Sequence, residues 1–119
     1  MLLRLTAQTT GIFNREFFDT VKPGAYFISV GRGKSTVTAD LIAALGSGHL
    51  AGAGLDVVDP EPLPADSPLW HLPNVIITPH ISAATPVSVE QRNLVLVENL
   101  RRYAAGEPML SVVDIERGY

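Results

Sequence analysis

An open α/β fold with parallel strands is what this chain of 119 residues predicts. Three short apolar runs, at 25–30, 53–57 and 74–78, have the length and composition of buried strands. A helical pattern at 38–45 separates the first two, and a strand–helix–strand unit has parallel strands and a right-handed crossover. A third observation concerns chemistry. Arg32, Asp56, Glu61 and His80 stand near or just past the ends of these runs. Open parallel sheets bind ligands beyond the carboxyl ends of their strands. A guanidinium, an imidazole and two carboxylates therefore converge on one rim, where they can bind an anion and move a proton.

Taken in order, Asn14 caps a short helix reaching about Val21, and Lys22-Pro23-Gly24 stops it. After strand 25–30, Gly31-Arg32-Gly33 forms a flexible turn. Helix 38–45 sets Leu41, Ile42 and Leu45 on one face and ends at Gly46 or Gly48. Strand 53–57 follows. Residues 58–73 hold Pro60, Pro62, Pro64, Pro68 and Pro73, so they form neither an ordinary helix nor an inner strand but a stiff, ordered loop. Loops of that length are often functional. Strand 74–78 leads to Pro79-His80. Thr85 caps a long helix with Pro86 in its first turn; it runs to about Ala105 and ends at Gly106 and Pro108. Glu98 and Arg102 are spaced to pair on it. Val87, Leu94, Val95, Leu96, Val97, Leu100 and Tyr103 are more apolar residues than one face needs, so this helix is expected to be covered on more than one side. The tail from 109 to 119 is expected to be extended.

Composition narrows the function. The net charge is −3 and no basic run is long enough to track a phosphate backbone, which argues against nucleic acid. No apolar run approaches the roughly 20 residues of a membrane span, and the N-terminal apolar stretch is too short for a secretory signal. The chain has no cysteine, which excludes disulfides and thiolate metal sites and fits the cytoplasm. His49 and His71 lack metal-ligand spacing to His80 or to each other. There is no Gly-x-Ser-x-Gly elbow, no Gly-x-Gly-x-x-Gly and no Walker loop.

Each rim residue admits a bland and a chemical reading. His80 is either a strand-end histidine bonded to backbone or a proton shuttle, since imidazole titrates near neutrality. Glu61, in a rigid Pro-Glu-Pro frame, is a carboxylate that could fix its tautomer, although spacing does not show that the two touch. Arg32 is either a solvated turn residue or a planar fork for a carboxylate, with flanking glycines that let a ligand approach the backbone. Asp56 interrupts an apolar strand and needs a donor, supplied by a ligand or by a nearby backbone N–H.

The chain resembles the D-isomer-specific 2-hydroxyacid dehydrogenases, a group that includes glyoxylate/hydroxypyruvate reductases and D-3-phosphoglycerate dehydrogenases. The matching stretches run in family order through nearly the whole chain. They are Leu5-Thr6 with Thr9-Thr10-Gly11, Lys22-Pro23-Gly24-Ala25, Val30-Gly31-Arg32-Gly33, Ser47-Gly48-His49-Leu50-Ala51-Gly52, Leu55-Asp56-Val57, Pro60-Glu61-Pro62-Leu63 and Pro73-Asn74-Val75-Ile76-Ile77-Thr78-Pro79-His80. Arg4, Gly31, Val58 and Ala83 depart from the usual pattern, and none removes a catalytic group.

The resemblance implies a fold, namely the second half of a Rossmann-type doubly wound parallel sheet plus a long C-terminal helix. Residues 1–85 would be that half of the NAD(P)-binding domain, and 86–119 a helix and tail returning to a substrate domain. It also implies roles. Arg32 would bind the substrate carboxylate and polarise its carbonyl, His80 would be the acid/base, and Glu61 its carboxylate partner. Asp56 would bond the nicotinamide carboxamide, with Gly31, Arg32 and His80 beside that ring and Leu5-Thr6 by the adenosine half. The reaction would be hydride transfer between NAD or NADP and a small 2-oxo or 2-hydroxy acid. Because the family's glycine-rich loop precedes these motifs, the resemblance further implies a fragment, inactive alone, that self-associates or joins a missing N-terminal half. A non-catalytic remnant or interaction module is the alternative. A formate-type relative is a third reading, and Glu61 argues against it, because that branch carries glutamine there.

Overall fold

The structure, a computed structural model, describes residues 1–116. The chain divides into two compact units, Met1–His80 and Ile81–Tyr119. In the first, helix α1 (Arg15–Thr20) begins at Asn14, whose side chain accepts from the Phe17 N–H, and strand β1 (Ala25–Ser29) follows. Helix α2 (Thr38–Gly46), strand β2 (Leu50–Leu55) and strand β3 (Val75–Ile77) complete it. The sheet order is β1-β2-β3 and both pairings are parallel, as the strand–helix–strand reading requires. All three carboxyl ends therefore lie on one edge.

Phe27 and Ser29 of β1 and Ala53 and Leu55 of β2 are buried on one face of the sheet, with Phe18 of α1 and Leu41 and Leu45 of α2 in the same core. Period-two alternation places the other side chains on the opposite face. There Tyr26 is 72% and Ile76 71% exposed. Phe13, Phe17, Phe18 and Phe27 form an edge-to-face cluster, with the Phe13 and Phe17 rings 4.8 Å apart.

Four local expectations need correction. Strand β2 starts at Leu50, not 53, and stops at Leu55, so Asp56 lies just beyond it rather than interrupting it. Gly31-Arg32-Gly33 is not a flexible turn: Gly33 opens a 3₁₀ turn, Gly33–Ser35. A Cβ on Gly33 would lie 1.8 Å from the Val58 carbonyl oxygen, so the absent side chain of this glycine admits the chain's own backbone. The proline-rich loop contains one helical turn, Pro68–His71, capped by Ser67, because proline suits a first helical position and Leu69 is buried.

In the second unit helix α3 (Pro86–Ala105) starts at a Thr85–Ser88 capping box and ends at Gly106 in the left-handed conformation, close to the expected bounds. The Glu98–Arg102 pair forms at 2.8 Å, joined by Arg101. No residue of α3 is buried, so the cover expected for its apolar sides is not supplied among the described residues. The tail is not simply extended, because Leu110 N–H donates to Asn99 Oδ1 at 2.7 Å and turns the chain back along the helix. Residues 117–119 of that expectation lie outside the described residues.

Candidate active site

The backbone ladder continues one residue past the strands. The Asp56 N–H donates to Ser29 O and the Thr78 N–H to Leu55 O, each at 2.9 Å. This register sets Asp56 and Thr78 side by side at the carboxyl edge. The Thr78 hydroxyl donates to Asp56 Oδ1 at 2.5 Å, and Asp56 is only 5% exposed. A buried carboxylate requires such a donor. Here one is a side-chain hydroxyl of the neighbouring strand, which the sequence reading did not single out. Thr78 ends an apolar run beside Pro79-His80, and that position was the available signal.

Two residues on, His80 has φ +53°. A non-glycine residue in the left-handed region is uncommon, and such strain concentrates at functional sites. From there His80 Nδ1 lies 2.7 Å from Glu61 Oε1, with both side chains about two-fifths exposed. Nδ1–H donates and the carboxylate accepts, which leaves Nε2 as the working nitrogen of the ring.

Asp56, Glu61, Thr78 and His80 line one cleft of about 320 Å³, walled by Val58, Leu63, Trp70 and Ile77. Three of the four rim residues are thus brought together. Arg32 is not in the cleft. It is exposed, stands past the end of β1 on the same edge, and its Nη1 donates to its neighbour Gly31 O at 2.8 Å.

Leu5 and Thr6 are also outside the cleft. Thr6 belongs to a hydroxyl-rich turn in which its N–H donates to Thr9 Oγ1 at 2.8 Å and Thr10 Oγ1 donates to its carbonyl at 2.8 Å. Gly31 is buried, and a Cβ there would lie 3.2 Å from the Leu3 carbonyl oxygen. His49 takes the bland role, with Nε2 2.9 Å from the Val21 carbonyl oxygen. Among the described residues no three ligands are grouped to hold a metal ion, and no helix is long and apolar enough to cross a membrane.

The cleft fits a nicotinamide ring. Its volume is at the small end of ligand pockets. Its walls are apolar enough to face a planar ring, and the buried Asp56 carboxylate can accept from a carboxamide N–H.

Residues 1–82 match the family model described as D-isomer specific 2-hydroxyacid dehydrogenase, NAD binding domain. The chain is 46% identical over 122 residues to a curated protein, glyoxylate/hydroxypyruvate reductase A of Salmonella newport. That alignment covers 99% of this chain and 37% of the relative, so the chain spans little more than a third of the relative's length. Among solved structures it is similar to a D-isomer specific 2-hydroxyacid dehydrogenase from Xanthobacter autotrophicus Py2 in complex with NADPH and MES. The TM-score there is 0.85 at 50% identity, covering 99% of this chain and 48% of that one. It is also similar to the NADPH-dependent glyoxylate/hydroxypyruvate reductase of Sinorhizobium meliloti in complex with NADP and sulfate, with TM-score 0.85 at 41% identity, covering 99% of this chain and 38% of that one. With its parallel sheet and its rim of Asp56, Glu61 and His80, the chain belongs to the NAD-binding domain family of the D-isomer specific 2-hydroxyacid dehydrogenases.

Proposed function

We propose that this chain supplies the catalytic rim for NAD(P)-dependent reduction of a small 2-oxo acid of the glyoxylate or hydroxypyruvate kind. The observation that supports this most directly is the Glu61–His80 pair, 2.7 Å apart at the carboxyl edge of the parallel sheet. Glu61 accepts from Nδ1–H, fixing the tautomer and orienting the ring. His80 then delivers a proton from Nε2 to the carbonyl oxygen as that oxygen gains charge. Arg32 grips the substrate carboxylate with the part of its fork not turned to Gly31 O. Asp56, held by Thr78, orients the carboxamide of the nicotinamide. The cofactor, when bound, supplies the hydride, and the protein supplies orientation and charge. Gly31 lies by that ring and Leu5-Thr6 by the adenosine half. Residues 1–85 act as part of the nucleotide-binding domain, and 86–119 return to a substrate domain. The same reading places the reaction in the cytoplasm and gives the chain a partner, either an N-terminal half or a second copy.

A chimera tests this, joining this chain to the portion of the Salmonella relative that precedes the aligned region. It should oxidise NADPH or NADH in the presence of glyoxylate or hydroxypyruvate, and His80→Gln should abolish turnover. Glu61→Ala removes the acceptor that orients the ring and should lower kcat. Parental turnover in Glu61→Ala would refute the pairing.

A further inference from the structure

Glu61 must be aimed at His80 by a loop that belongs to neither helix nor strand. Val58 and Leu63 pack against the core on either side of Glu61, and among the described residues the loop's polar tethers are few. The Thr38 hydroxyl donates to Asp59 O at 2.7 Å on one side of Glu61. On the other side the Trp70 indole Nε1–H donates to Pro64 O at 2.9 Å, and the Ser67 N–H reaches the same carbonyl at 3.0 Å. The base under Trp70 is rigid, because Leu69 is 2% exposed in the core and Ser67 caps the turn that carries both residues. Trp70 itself is 50% exposed, so burial does not explain its presence. Its ring instead walls the cleft that Glu61 and His80 line.

We propose that Trp70 is a positioning residue, its indole N–H tying Pro64 to the anchored 68–71 turn and so holding the Glu61 carboxylate on His80 Nδ1. This deepens the proposed function and rests on the Glu61–His80 pair. Pro60 and Pro62 restrict the backbone on both sides of Glu61. A loop so stiffened has fewer free torsions with which to absorb a displacement at Pro64.

The test follows ¹⁵N shifts of the histidine rings in the 119-residue chain, which read whether the proton sits on Nδ1, with His80→Gln used to assign the His80 signals among the three histidines. Glu61→Ala sets the reference, moving the His80 signals away from the Nδ1–H form. Trp70→Phe keeps an aromatic ring and loses the N–H. It should move the His80 signals in the same direction by part of that change, leaving those of His49 and His71 in place. Benzothienylalanine at position 70 keeps the bicyclic shape without the N–H and should act likewise, which covers the case where the phenyl ring disturbs folding. If Glu61→Ala moves the His80 signals and both replacements of Trp70 do not, Trp70 is not a positioning residue although the pair stands. If Glu61→Ala itself moves nothing, the pair fails and the proposal with it.

Discussion

At Arg32 charge and shape can be separated. Lysine keeps the charge and loses the planar fork. A hydrogen bond to a charged group contributes about 1.5–3 kcal/mol, so Arg32→Lys in the chimera should lower kcat/KM for glyoxylate by roughly 10- to 100-fold. Cofactor affinity should change little, and parental turnover would remove Arg32 from the proposed mechanism. His80 and Glu61 were legible as a pair of candidates because proline pins the backbone around each. Their 2.7 Å contact was not legible, since 19 residues separate them and only the fold closes that gap. The Thr78 hydroxyl was missed as a donor to Asp56 for the same reason, because it comes from beyond another strand. Of the two glycines beside Arg32, Gly33 has a different neighbour from the one expected. Glycine advertises a close approach but not what approaches, and at Gly33 it is the Val58 backbone.

Helix α3 was the most readable element, since Thr85, Pro86 and Gly106 are local signals that act over one turn. Thr85→Ala removes the acceptor for the Ser88 N–H and should cost about 1 kcal/mol of helix stability, measurable as a lower melting temperature. Hydrogen bonds from Arg101 and then Arg102 hold the Glu98 carboxyl below its ordinary value. A carboxylate lowered in the folded state stabilises above its unfolded pKa, and that contribution is lost as pH falls through the lowered value. Acidification through and below the ordinary carboxylate range should therefore weaken α3. Glu98→Gln should remove part of that pH dependence, with the difference shrinking in high salt because the group is exposed. Equal acid sensitivity of the variant in thermal melts would discount the cluster. Strand β2 was read three residues short at its start because Gly52 carries little strand signal, yet it sits in the register opposite Tyr26.

Taken whole, the chain leaves much apolar surface uncovered. The open face of the sheet shows Tyr26 and Ile76, and α3 shows Val87, Val97, Leu100 and Tyr103. Exposed apolar surface of this extent promotes association. The sequence holds no Gly-x-Gly-x-x-Gly to cradle a pyrophosphate. The 119-residue chain alone should therefore self-associate in light scattering and bind NADH no better than about millimolar, roughly −4 kcal/mol. Trp70, its one tryptophan, lines the cleft and gives a fluorescence signal to follow. Micromolar binding by a well-folded monomer would contradict this. By itself the sequence determined the helix caps, the parallel strand–helix–strand unit and the identity of the rim residues, because apolar periodicity, proline and glycine act locally. Only the tertiary structure decided which rim groups touch. Bringing Glu61 onto His80 and Thr78 onto Asp56 depends on strand register and on a tethered loop, and neither is encoded at any one position.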